Sequence, residues 1–162
     1  MAESIRLGVR RSFTNIEEDS AMQSTGKTED EAFNLFQAII EQAPDAMIYA
    51  DKNGTIRVWN RGAEAIFGYA AEEAIGKNLD VIIPERFRRA HWDGFNKAIA
   101  AGQTRHSGKA MTTRSVHKNG NKLYVDMSFS LVKDRAGNVM GSLAIGRDST
   151  ARHLAGDGAS RP

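Results

Sequence analysis

Three short turns rich in Asn, Asp and Gly constrain the fold of this chain more than any other feature of its sequence. They lie at residues 51–54 (DKNG), 118–121 (KNGN) and 134–137 (DRAG). Such segments favour the backbone angles that close tight hairpins. Each turn joins segments that alternate or run apolar, at 46–50, 55–60, 110–116, 123–132 and 139–147. We therefore predict one antiparallel hairpin followed by a three-stranded meander.

The segment 123–132 indicates that the sheet has a buried face. Every second residue is apolar, and the residues between them are Tyr, Asp or Ser. The apolar residues are Leu123, Val125, Met127, Phe129 and Leu131. Successive residues of a strand point to opposite faces, so one face of this strand is buried and the other is wet or covered by a partner.

Helical spacing surrounds and interrupts these strands. Thr28 and Glu31 form a capping-box pattern before an apolar run that Pro44 ends, which predicts an amphipathic helix. Two short helical turns at 63–67 and 71–75 stop at glycines, and a longer helix begins at Pro84 and closes at Gly102. The predicted class is α+β, with helix, two strands, short helices, one long helix and three strands in that order.

The length of 162 residues and an ordinary globular composition indicate one domain with irregular ends. We expect a flexible or partly helical arm at 1–27, a domain at 28–150 and, at 151–162, a flexible tail or a brief exit helix. No apolar run is long enough to cross a bilayer and the N-terminus lacks the apolar core of a secretory signal, so we expect a cytoplasmic protein without a membrane partner. The net charge of +2 is spread along the chain, which argues against nucleic-acid binding. With no cysteine, thiolate metal sites and disulfides are excluded.

The element order and the residues at its joints resemble the PAS family over roughly residues 33–150. The matching segments are 40–46 (IEQAPDA), 51–56 (DKNGTI), Asn60 with Ala63 and Glu64, 67–69 (FGY), 72–78 (EEAIGKN), 84–85 (PE), 118–120 (KNG) and 146–150 (GRDST). The resemblance implies a five-stranded antiparallel sheet with helices on one face and an N-terminal amphipathic helix, enclosing a small pocket. It also implies a role in sensing and signalling.

Residues 84–95 (PERFRRAHWDGF) are similar to the haem-binding PAS domain of the nitrogen-fixation oxygen-sensor kinase. The similarity implies haem b with His91 as its iron ligand. Helical spacing places His91 near the middle of an arc with Phe87, Gly94, Phe95 and Ala98, so its side chain is expected to point inward.

The same similarity implies further cofactor contacts. The distal wall would come from His106, Met111, Met127 and Phe129, and Lys97 or Arg105 would reach the propionates. The oxygen sensor has arginine at the place of Met111, so the same contact to oxygen is not expected here. Met111 or His106 would instead close the iron as a sixth ligand.

Other functions stay open. Without cysteine, the flavin-cysteine adduct and the coumarate thioester of some PAS domains are excluded, whereas non-covalent flavin or another small ligand is not. A ligand-free dimerisation or adaptor module is the main alternative, and a fragment of a longer sensor kinase is a third. No catalytic constellation is present in the sequence, so we do not expect an enzyme. The expected partners are a second copy, a histidine kinase or another signalling protein.

Overall fold

The computed structural model describes residues 14–105 and 108–159, and the chain divides into two compact units, residues 1–39 and 40–162. The helices are α1 (Thr14–Gln42), α2 (Arg61–Phe67), α3 (Ala71–Ala74), α4 (Glu85–Ala101) and α5 (Thr150–Ala159), with a 3₁₀ turn at Leu79–Val81. The strands are β1 (Ala46–Asp51), β2 (Ile56–Trp59), β3 (Met111–Val116), β4 (Lys122–Lys133) and β5 (Val139–Asp148). The predicted α+β order is confirmed.

The five strands form one antiparallel sheet in the order β2-β1-β5-β4-β3. The predicted hairpin and meander are both present, and the pairing of β1 with β5 joins them. Gly54, Gly120 and Gly137 have φ angles of 76°, 87° and 86°. These left-handed angles explain why each turn carries glycine.

The core lies between the inner face of the sheet and the segment from α2 to the 3₁₀ turn. Its largest fully buried apolar side chains are Phe67, Ile48, Ile56 and Val125. Along β4, the predicted alternation holds from Leu123 to Met127, where every second residue is buried. The inner face is therefore the one that the alternation in the sequence predicted.

Asn60 fixes the junction between β2 and α2. It is 0% exposed, and its side-chain oxygen accepts hydrogen bonds from Met47 N (2.8 Å) and Ala63 N (3.0 Å). Its amide nitrogen lies 2.9 Å from Ile40 O and 3.0 Å from Asp45 O. One side chain thus caps α2 and holds the entry into β1.

The structure differs from the sequence-based expectation at the start of the first helix. The helix that we expected to begin at Thr28 begins at Thr14, so the capping-box pattern lies inside it. Residues 150–159 are helical, which was one of the two alternatives for this segment. Residues 1–13 of the expected arm and 160–162 of the expected tail lie outside the described residues.

Contacts with β4 explain why α5 is ordered. Ser149 Oγ donates to Tyr124 O (3.0 Å), and the His153 ring stacks on Tyr124 with 3.9 Å between centroids. Arg152 pairs with Asp126, which also accepts from Thr112. Hydrogen bonds from Thr112 and Arg152 lower the pKa of Asp126, so its carboxylate remains charged for this pairing.

Within the described ranges, 14–105 and 108–159, no helix is both long enough and apolar enough to cross a membrane.

Candidate functional site

The helix α4 carries the residues on which the functional hypothesis rests. It begins after Pro84 and ends at Gly102, whose φ of 66° closes it, so both predicted ends are confirmed. None of its residues is fully buried. The helix therefore packs on the surface of the core with side chains that are at most half-buried.

The inward face of α4 is rotated from the predicted arc. Its half-buried residues are Arg88, His91, Trp92, Phe95, Ala98 and Ile99. At 100° per residue, Phe95 lies at the middle of this face and His91 nearer one edge. The prediction that Phe87 and Gly94 point inward is wrong: Phe87 is 37% exposed, and a side chain at Gly94 would meet nothing within 4 Å. The indole of Trp92 and the guanidinium of Arg88 both donate hydrogen bonds to Asp80 in the 3₁₀ turn. These bonds set the rotation of the helix.

His91 is half-buried among aromatic rings. Its ring centroid lies 4.9 Å from that of Trp92 and 6.0 Å from that of Phe95. Its Nδ1 atom is buried and has no hydrogen-bond partner among the described residues. Burial lowers the pKa of His91, and the negative charge of Asp80 partly opposes this effect. The imidazole is therefore held in its neutral form, which is the form that ligates metals.

Asp80 links the 3₁₀ turn to this face of α4. Its carboxylate accepts from Trp92 Nε1 at 2.8 Å, and its backbone carbonyl accepts from Arg88 Nη2 at 3.1 Å. No sequence pattern marks Asp80, because only the fold brings it beside α4.

The inner face of the sheet supplies the other predicted residues. Met111 lies directly opposite Met127 in the β3–β4 register, so both side chains are on the same face. Phe129 follows on that face, opposite Ala144 of β5. Phe95, Phe129 and Ala144 all pack against the one core cluster that contains Met127.

Three further residues were predicted to contact the cofactor, Lys97, Arg105 and His106. Lys97 and Arg105 are exposed, at the far part of α4 and just after it. His106 lies outside the described residues. The roles of Lys97, Arg105 and His106 toward a cofactor stay predictions.

The residues around His91 have the chemistry that haem requires. An imidazole with a lowered pKa and a buried nitrogen that has no partner among the described residues would suit an iron ligand, and its aromatic surroundings would suit a flat apolar ring. β5 has only small residues at Ala144 and Gly146, opposite Phe129 and Met127, so few side-chain atoms project from it there. The side chain of Met127 occupies the space over Gly146, since its Cγ would lie 2.9 Å from a Cβ placed there. The residues fit the group, with the flexible Met127 as the side chain that must give way.

Comparison with known proteins gives a consistent result. A family model described as "PAS fold" matches residues 34–149. The chain is 29% identical over 119 residues to the oxygen sensor protein DosP of Escherichia coli, which covers 74% of this chain and 15% of DosP. It is 33% identical over 79 residues to the sensor protein FixL of Bradyrhizobium diazoefficiens, covering 49% of this chain and 15% of FixL. The chain thus spans a small part of these curated relatives.

Solved structures share the fold. A crystal structure of the PAS domain of a Colwellia psychrerythraea protein superposes with a TM-score of 0.65 at 22% identity, covering 75% of this chain and 99% of that one. This likeness concerns the arrangement of strands and helices.

Proposed function

Because the chain belongs to the PAS family, we propose that it is a signal-sensing domain that binds haem b through His91 and signals by associating with another protein. The observation that carries this proposal is the half-buried imidazole of His91, whose buried Nδ1 has no hydrogen-bond partner in the part of the chain that the structure describes. The lowered pKa of His91 supports it. The similarity to DosP, an oxygen sensor, supports a sensing role.

The helix and the sheet would have different roles toward the cofactor. His91 would hold the cofactor from α4, while Met111, Met127 and Phe129 would form the opposite apolar wall and exclude water. When bound, haem b supplies an iron whose ligands change with diatomic gases or redox state. Because α4 has no fully buried residue, it can shift without breaking a packed core.

Association is the proposed route of the signal. In the first unit, Phe33, Leu35, Phe36 and Ile39 of α1 are exposed. In the second unit, the outer face of the sheet carries an apolar groove of about 290 Å³. Met47, Tyr49, Val58 and Leu143 line it. Exposed apolar surfaces of this kind favour contact with another protein.

We propose a homodimer that docks to a histidine kinase or another signalling protein. We also propose that it acts in the cytoplasm without catalytic activity of its own. The relatives that the chain matches are far longer, so its output lies with a partner or with further domains of the same polypeptide.

The visible spectrum tests the haem proposal. Protein expressed with supplied haem should show a Soret band, and His91→Ala should lose it because the axial ligand is gone. His153→Ala serves as the control: this histidine stacks on Tyr124, away from α4, and the band should persist. Far-UV circular dichroism establishes that each variant is folded. Folded wild-type protein without the band, or an unchanged band in His91→Ala, would overturn haem ligation by His91 and leave the family assignment intact.

A ligand-free adaptor module is the second candidate function. The packing of Met127 over Gly146 favours it, because this side chain occupies space that a cofactor would need. Under this alternative, colourless protein should still self-associate and still bind its signalling partner.

A further inference from the structure

A groove runs along the edge of the sheet beside the start of α4, and His91 is not among the residues that line it. It has a volume of about 390 Å³ and is lined by Glu85, Arg86, Arg114, Ser115, Val116 and Lys122, among others. β3 is the last strand in the sheet order, so one side of it is an edge. Consecutive strand residues point to opposite faces, and a groove lined by three of them in a row must follow the edge itself.

The edge of β3 is open along most of its length. Val116 N donates to Ile82 O at 3.0 Å, which covers one end. The other β3 residues form no backbone hydrogen bond outside the sheet ladder with any residue that the structure describes. An open edge of this kind can accept a further strand.

The groove is basic. Its charged lining consists of Arg86, Arg114 and Lys122 against the single carboxylate of Glu85. Within the described part of the chain, neither Arg86 nor Lys122 forms an ion pair. Two of the three cations are therefore available to an anionic partner.

Arg114 has an unsatisfied donor. Its Nη2 donates to the hydroxyl of Tyr124, but its Nε is buried without a hydrogen-bond partner among the described residues. A carboxylate is the acceptor that guanidinium nitrogens bind most strongly, and the Arg114 side chain lines the groove in which such a group would lie.

We propose that this groove binds an extended acidic segment of a partner protein. The segment adds to the edge of β3 through its backbone and places a carboxylate among Arg86, Arg114 and Lys122. The open edge selects an extended chain, and the positive charge selects acidic side chains. This surface does not involve His91, so the inference holds whether or not haem binds.

Fluorescence anisotropy tests the proposal with a fluorescein-labelled peptide of alternating valine and glutamate. The wild-type protein should bind it, and Arg86→Gln with Lys122→Gln should weaken binding about tenfold, since both charges face the partner. The control pair is Lys52→Gln with Arg135→Gln. These two exposed cations lie in hairpin turns and do not line the groove, and their replacement also removes two positive charges. This pair should change the affinity less than about twofold, because rim or remote charges contribute little.

Two further measurements separate the peptide from simpler ligands. The amide signals of β3 should shift on peptide binding, and a valine–glutamine peptide should bind more weakly. The proposal is overturned if the acidic peptide does not bind, if both double variants bind it equally, or if the shifts fall outside β3 and the start of α4. Complete competition by free glutamate at the same carboxylate concentration would also overturn it, since a small anion would then suffice.

Discussion

Asn60 connects three parts of the chain through a single buried amide. It bonds to the start of β1, to the end of α1 at Ile40 and to the first turn of α2. An asparagine suits this position because it offers both a donor and an acceptor, whereas a carboxylate could not donate to the carbonyls around it.

Replacing Asn60 with alanine should lower the free energy of unfolding by about 2–4 kcal/mol, because several buried backbone groups lose their partners. Urea denaturation measures this change. Asn96→Ala, at an exposed position of α4, should cost less than about 0.5 kcal/mol. Equal effects of the two substitutions would mean that the bonds of Asn60 contribute nothing to stability.

His91 should make stability depend on pH. Burial lowers its folded-state pKa below the reference value of 6.5, so the unfolded state binds the proton more readily. The stabilising contribution is therefore complete above the unfolded pKa and is lost as the pH falls toward the folded pKa. Between about pH 7.5 and pH 5.5, haem-free wild-type protein should lose more unfolding free energy than His91→Gln.

Urea denaturation at the two pH values measures this difference, and Asn96→Ala should behave like the wild type. If His91→Gln loses as much stability as the wild type, the imidazole is not desolvated in the folded protein.

At the scale of elements, Gly54 and Trp92 join the first hairpin to α4. A Cβ at Gly54 would lie 2.1 Å from Cη2 of Trp92, so the indole packs directly on the turn. Trp92 also bonds to Asp80 and touches His91. The turn therefore helps to position the face of α4 that carries the candidate ligand.

Gly54→Ala should destabilise the protein about 1–3 kcal/mol more than Gly120→Ala does. Both glycines have positive φ and share the backbone cost, but nothing lies within 4 Å of a side chain at Gly120. The excess therefore measures the clash with Trp92. Urea denaturation gives the free energies of unfolding. Gly54→Ala should also shift the tryptophan fluorescence, and the absence of this shift when Trp92→Phe is added would assign it to Trp92. Equal destabilisation by the two alanines would contradict this contact.

At the scale of the whole molecule, the exposed apolar residues of α1 predict self-association. Replacing Phe36 and Ile39 with glutamate should lower the sedimentation-average mass toward that of a monomer, because the contact loses apolar area and gains charge. Asn34→Glu with Gln37→Glu adds the same charge at exposed polar positions of the same helix and should leave the mass unchanged. A monomeric wild type, or equal dissociation of both double variants, would refute association through this helix.

Much of the fold could be predicted because its signals are local. An Asn-Gly turn needs only its own backbone angles, and the ends of α4 are set by Pro84 and Gly102. The pairing of Met111 with Met127 likewise follows from the length of one hairpin. Each of these features depends on residues that are close together in the sequence.

The site itself was only partly predictable. Helical spacing brought His91 and Phe95 to one face, but it centred that face wrongly because spacing does not show what lies opposite. Asp80 and Gly54 came to α4 only through the fold. The choice between a flexible tail and the ordered α5 stayed open for the same reason, since the partners of α5, Tyr124 and Asp126, lie on β4.

By itself, the sequence determined the order of the elements, the hairpin turns and the buried face of β4, all of which follow from backbone preferences and side-chain period. Only the tertiary structure decided which way α4 rotates, which nitrogen of His91 is buried without a partner among the described residues, and where the open basic edge of β3 lies. These features depend on contacts between residues distant in the sequence, and periodicity within one element carries no information about them.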